Sequence, residues 1–322
     1  MPRLLTLFLI GPALVSMLLL SACGPRTDGK SFTEHVKAAA AEEAYTGPAL
    51  WRVADDDTTV YLFGTVHTLR EGVRWKTDTI TETLLSADAV YFEADTQSTD
   101  ARGEINAAVT RFGLMTDGNT LEDLLPEAAE REVEETAALL EVPLYSLSNF
   151  KPWLASFALS DIHQEKLGFD QALGVEKVLA NLATDRAIPL RYLETGVYQL
   201  QLIASVPDAE QIALLVQTAE QIENDPDFLD RTIEDWSVGD VSALAQTFKN
   251  SGVFGQGEIY NLMVRTRNVN WSQKITSLME NEAGTFFIAV GAAHLTGDDS
   301  LQTILASLGV EAERVNPPKA SP

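Results

Sequence analysis

With 47 acidic against 23 basic side chains in 322 residues, the chain has a formal charge of −24 at pH 7 when its histidines are neutral. A surface that negative repels phosphate backbones and anionic headgroups, which excludes nucleic acid as a partner and leaves membrane attachment to something other than charge. At 45% hydrophobic residues the chain can build a substantial core, and with one cysteine, Cys23, it has no internal disulfide.

The chain starts as an export signal. Met1-Pro2-Arg3 is a short basic start, and Leu4 to Leu20 is predominantly apolar and uncharged. The stretch is about long enough to span a bilayer, but Leu20-Ser21-Ala22-Cys23 resembles the lipobox of bacterial lipoproteins, whose signal is removed before the cysteine and whose cysteine is acylated. That resemblance implies loss of residues 1–22 and lipidation at Cys23. Gly24 in place of an aspartate implies an anchor on the periplasmic side of the outer membrane. Residues 23–47 read as a tether too poor in apolar surface to pack alone, residues 48–316 as a single domain, and residues 317–322, after Pro317-Pro318, as a disordered tail.

Within the domain, Leu50-Trp51-Arg52-Val53 and Thr58 to Phe63 flank Asp55-Asp56-Asp57, the pattern of a β-hairpin with a polar turn; the aspartates lack the spacing of a calcium loop. Thr77 to Ser86 reads as a helix and Ala89 to Ala94 as a strand. Ala101 to about Glu141 reads as an acidic helical stretch with a start signal at Thr120. Helices follow over Ser146–Leu167 and Ala172–Ala183, then a strand over Ile188–Glu194. Long helical runs cover Asp208–Trp236 and Val241–Glu280, and Phe286 opens a further strand. A helix over Asp298–Leu308 and an edge strand over Val310–Val315 close the chain. The whole reads as an α/β (α+β) chain, a central mixed sheet surrounded by many helices.

Two of the four histidines share one context. Tyr61-Leu62-Phe63-Gly64-Thr65-Val66-His67 and Phe286-Phe287-Ile288-Ala289-Val290-Gly291-Ala292-Ala293-His294 are both apolar runs ending in Gly-x-x-His. Each reads as a buried strand whose glycine, Gly64 or Gly291, permits a tight turn at the sheet edge, where α/β proteins collect ligands. Taken singly, each histidine is a strand-end residue satisfying backbone groups. Taken together with Glu93, which closes another apolar strand, they form a His-His-carboxylate set that suits zinc, manganese, cobalt or iron. Taken alone, Glu93 is a rim residue or the partner of an arginine such as Arg265 or Arg267. Glu194 repeats the strand-then-acid pattern. Arg267-Asn268 is either an exposed pair or a positive charge suited to an oxyanion. His163, among polar neighbours on a helix, and His35, in the tether, read as solvated.

The ordered series Leu50-Trp51-Arg52-Val53, Gly64 to His67, Glu93, Lys151-Pro152-Trp153, Gly168-Phe169-Asp170, Leu193-Glu194-Thr195 with Gln199, Arg267-Asn268 and Gly291 to His294 resembles the TraB/PrgY/GumN family, a branch of the Tiki/EreA-like group. It covers essentially the whole domain and departs from the family pattern at Phe169, where valine is commoner. The resemblance implies a metal-dependent hydrolase, with relatives that cleave peptides. His67, His294 and Glu93 would then hold one divalent ion (manganese, cobalt or zinc), with Glu93 a ligand or the general base. Arg267 would polarise the substrate carbonyl, and Gly64, Gly291, Glu194 and Asn268 would shape the site for a peptide or small-molecule substrate. The alternative is a non-catalytic haem- or metal-binding lipoprotein of related fold.

Overall fold

The computed structural model describes residues 45–252 and 255–316. The expected signal, Cys23, most of the tether and the tail lie outside them. Strands β1 (Leu50–Ala54), β2 (Thr58–Thr65), β3 (Ala89–Phe92), β4 (Leu190–Tyr192), β5 (Gly284–Gly291) and β6 (Glu313–Arg314) form one mixed sheet in the order β4-β3-β5-β2-β1-β6. β1 is antiparallel to β2 and to β6, while β4, β3, β5 and β2 run parallel. Helices surround this sheet, the α/β arrangement expected from the sequence.

The apolar runs are continuous because both faces of the central strands are covered, as parallel sheets require. Alternation sends Phe63 of β2 and Phe287 and Ala289 of β5 into one core, with Val175, Leu179, Leu200 and Trp236 from the helices on that side. Val60, Leu62, Phe286, Ile288 and Val290 enter a second core, against Trp271, Ile275 and Leu278 of the Arg267–Asn281 helix and Leu301 and Leu305 beyond it. Complete burial of a side chain such as Phe287 contributes about 2–3 kcal/mol. A third cluster lies under the Glu127–Leu139, Pro152–Lys166 and Asp208–Asn224 helices.

Register fixes the functional edge. Thr65 of β2 lies opposite Gly291 of β5, and Phe92 of β3 lies opposite both Ala289 and Tyr192. Four parallel strands therefore end on one side of the molecule, and whatever follows each of them meets there.

Several helical expectations are corrected. The Ala101–Glu141 stretch is Thr99–Gly113, Leu121–Leu124 and Glu127–Leu139, interrupted where Gly118 adopts φ +88° and Leu114 bridges to Phe150. The Asp208–Trp236 run breaks at Asp225-Pro226 into Asp208–Asn224 and Phe228–Ser237, since proline removes a donor and disfavours helix before it. The Val241–Glu280 run divides into Val241–Lys249, Gly257–Tyr260, a π-helical turn Asn261–Thr266 and Arg267–Asn281. The edge strand shrinks to Glu313–Arg314. Asp55 makes the expected turn, its Oδ1 accepting from Thr58 N at 2.8 Å.

Candidate functional site

Glu93 and Glu194 each follow a strand end, and both point under the sheet edge at one guanidinium. Arg267 is fully buried. Its Nε donates to Glu194 Oε1 at 2.8 Å and its Nη2 meets Glu93 Oε2 at 2.5 Å and Glu194 Oε1 at 2.7 Å. Its Nη1 donates to Met263 O at 2.9 Å and lies 3.1 Å from His294 Nε2. The five N–H groups thus make five contacts to four acceptor atoms, Glu194 Oε1 being met twice, and a guanidinium has no further donor to offer. The local backbone makes this possible: in the π-helical turn, the N–H of Arg267 reaches Val264 O, and Met263 O receives the side chain.

The carboxylates are equally occupied. Glu93 Oε1 accepts the Gly291 N–H at 2.7 Å, and Gln199 Nε2 donates to Glu93 Oε2 at 3.2 Å and to Glu194 Oε1 at 2.8 Å. Glu194 Oε2 accepts from Trp271 Nε1 at 3.0 Å, and the Trp271 ring stacks 4.5 Å from the Arg267 guanidinium carbon. Burial alone would raise the Glu93 pKa, but Arg267, the two histidines and the Gly291 N–H hold it at about 2.

The tautomer of His294 follows from Asn268. The Asn268 amide nitrogen donates to His294 O at 3.1 Å and to Asp299 O at 2.8 Å, so its oxygen is what faces His294 Nδ1 at 2.7 Å. Nδ1 therefore carries the proton, and Nε2 accepts from Arg267. Burial and the neighbouring Arg267 push the His294 pKa down to about 3, so the ring is neutral. Gly64 belongs to this packing: a Cβ there would lie 3.1 Å from the Ala292 Cα, and its carbonyl receives Trp236 Nε1 at 2.9 Å.

His67 differs. Its side chain is only 8% exposed, its Nδ1 lies 2.7 Å from Glu176 Oε1 without the alignment of a linear hydrogen bond, and its Nε2 has no hydrogen-bond partner among the described residues. Burial would lower its pKa, yet Glu176 raises it above the ordinary value. Glu176 is held in turn by Thr65 Oγ1. It is delivered by the first turn of the Val175–Asp185 helix, whose Val175 N–H donates to Val66 O at 2.9 Å. Only glycine fits just before that helix, since a Cβ on Gly174 would fall 2.1 Å from the His67 carbonyl oxygen. The His67 ring lines a cleft of about 260 Å³ together with Glu93, Glu176, Gln199, Arg102 and Lys177.

The structure thus brings together His67, Glu93, Glu194, Arg267, Asn268 and His294, with Gly64 and Gly291 beneath them, but not as a metal centre. A divalent ion held by His67, His294 and Glu93 does not fit. Both His294 nitrogens and both Glu93 oxygens are engaged, and the cation already paired with Glu93 and His294 is Arg267. Among the described residues no group of three or more His, Cys, Asp or Glu side chains is placed to hold a metal. Of the three expected ligands, only His67 keeps a free donor atom.

Arg267 is likewise corrected as a carbonyl-polarising group: it is buried below the cleft with every donor used. Arg265 is the exposed arginine of the pair, 3.2 Å from Asp299. His163 is half buried rather than solvated, and lies outside the cleft lining. Sequence reasoning missed Glu176, Thr65, Gly174 and Trp271. Trp271 had a signal, four residues after Arg267 on one helix face; Glu176 had none.

Two curated relatives are the uncharacterized proteins YbaP of Escherichia coli (strain K12) and YbaP of Shigella flexneri. Each is 23% identical over 261 residues, covering 81% of this chain and 93% of the relative. No solved structure matches the chain. Residues 49–314, from the start of the sheet to its last strand, match the TraB/PrgY/gumN family, and the chain belongs to it.

Proposed function

We propose that the protein is a hydrolase of acyl substrates, of peptide or small-molecule type, in which His67 is the proton acceptor. The observation that carries this reading is the buried, unpartnered Nε2 of His67 beside Glu176. A buried polar nitrogen left unsatisfied costs about 1–3 kcal/mol, so a group that the chain does not supply completes it. A water in the cleft can do so. His67 Nε2 takes its proton as the oxygen attacks a carbonyl carbon, the Glu176 carboxylate stabilises the resulting imidazolium, and His67 returns the proton to the leaving group. Glu93, Glu194 and Arg267, with the neutral His294, form a fixed, fully hydrogen-bonded network behind the reaction and transfer no proton themselves.

The test is a panel of N-acyl peptides and esters incubated with the protein in the presence of chelator. Turnover that survives chelation and is lost in His67→Ala supports the reading. Turnover that requires added divalent metal, or is indifferent to His67→Ala, contradicts it. The haem alternative has less support, because the lining mixes Glu93, Glu176, Arg102 and Lys177 with its apolar residues, whereas haem favours a wide apolar pocket.

Export and lipid anchoring belong to the same proposal. No helix among the described residues is long and apolar enough to cross a membrane, and the lipobox-like Leu20-Ser21-Ala22-Cys23 is what supports attachment through Cys23. Labelled palmitate should appear on the wild type and not on Cys23→Ser; label on both would refute lipidation at that residue.

A further inference from the structure

The cleft beside His67 has two helical walls, and each presents a cation. Arg102 and Asn106 lie one turn apart on the Thr99–Gly113 helix, and Lys177 and Ala180 lie about one turn apart on the Val175–Asp185 helix; all four line the cleft. Arg102 and Lys177 are exposed, and neither makes an ion pair with a described residue. By contrast, Arg52, Arg70, Arg131, Lys166, Arg191, Arg231 and Arg265 are each paired with a carboxylate at the surface. The chain as a whole, at −24, repels anions. Arg102 and Lys177 thus bring two uncommitted cations to a lining whose carboxylates, Glu93 and Glu176, are already engaged by Arg267 and by His67 and Thr65.

The third side of the cleft is the end of the sheet. β4 is an outer strand of the sheet, and its Leu190 and Tyr192 side chains line the cleft. Pro189 O accepts from Val90 N and Leu193 N donates to Phe92 O, both at 2.9 Å. Odd-numbered residues of this segment therefore turn their backbone groups inward to β3. By the alternation of a parallel ladder, the N–H and C=O groups of Leu190 and Tyr192 point outward, where no described strand meets them. An extended peptide is the ligand whose own backbone completes such an edge.

We infer that the cleft recognises an extended peptide bearing a free carboxylate, with the peptide backbone along β4 and the carboxylate received between Arg102 and Lys177. This rests on the hydrolase reading for the fate of the bound peptide, but not for its binding. Arg102 and Lys177 are specificity residues and take no part in proton transfer. The arrangement selects peptides ending in a carboxylate over the same peptides capped as amides.

The experiment compares binding of acetyl-Ala-Ala-Phe with free carboxylate against its C-terminal amide, by calorimetry on the full domain. The proteins are wild type, His67→Ala and the double variant Arg102→Gln/Lys177→Gln. The inference predicts about tenfold tighter binding of the carboxylate form to wild type and to His67→Ala, and loss of that preference in the double variant. Equal binding of the two forms to wild type, no binding of either, or a preference that survives in the double variant overturns it. Because His67→Ala retains the preference even where hydrolysis is absent, failure of the catalytic reading and failure of this one give different results.

Discussion

Replacing Arg267 with glutamine is expected to lower the unfolding free energy by about 3–5 kcal/mol, because it leaves two buried carboxylates without their shared cation. Glu93 and Glu194 both spend hydrogen bonds on that one guanidinium, and His294 Nε2 loses its donor with it. Lysine in its place keeps the charge but offers three donors to four acceptor atoms, without the planar fork that reaches them all, so it rescues only in part. Urea unfolding at neutral pH reads the effect; a variant within about 1 kcal/mol of wild type would show that the network adds nothing to stability.

The same cluster sets the acid response. The folded chain holds His294 at about 3 against an ordinary 6.5, so as pH falls below 6.5 the unfolded chain gains a proton that the folded chain refuses, and stability is lost progressively toward pH 3. Glu93, held at about 2 against an ordinary 4.5, adds a second loss in the same direction between those two values. Wild type therefore weakens steadily from mild acid downward. In Arg267→Gln the slope is shallower, since Glu93 has lost the strongest influence that keeps it ionised.

Replacing Glu176 with glutamine is expected to reduce hydrolytic turnover by about a hundredfold and to move the acid limb of the pH–rate profile. His67 must be neutral to accept a proton, and Glu176 holds its pKa above 6.5 against burial, which acts the other way. Activity in wild type should thus fall as pH drops through a value above 6.5. Without the carboxylate, burial and the cation of Arg267 are less opposed, and the limb moves to lower pH while the plateau falls. An unmoved limb would assign the titration to another group.

The convergence at the sheet edge was legible because apolar runs, glycines and terminal acids mark the ends of parallel strands, and parallel strands deliver those ends to one side. The repeated Gly64-to-His67 and Gly291-to-His294 motifs do sit at neighbouring strand ends, with Thr65 opposite Gly291. What the repetition concealed is that the two histidines have different partners. His294 is locked by Asn268 and Arg267, while His67 is paired, among the described residues, with Glu176. That difference depends on contacts across long stretches of chain. Glu176 reaches His67 only because Val175 is stapled to Val66 and Gly174 lets the two backbones touch. The pairing of Glu93 with Arg267 is legible from charge, since a carboxylate closing an apolar strand demands a cation and the sequence offers Arg265 or Arg267; that the same guanidinium also holds Glu194 is not. The π-helical turn that aims it leaves no comparable trace in residue spacing.

The most direct measurement is nitrogen-15 NMR of the histidine rings, titrated from about pH 8 to about pH 4 and repeated with stoichiometric zinc or manganese. The structure predicts that the His294 ring stays neutral with its proton on Nδ1 throughout, that the His67 ring titrates above 6.5, and that neither ion alters the His294 signals. A His294 ring that carries its proton on Nε2, or whose Nε2 signal shifts on adding the metal, would contradict the Arg267-locked arrangement and restore a metal centre at this sheet edge.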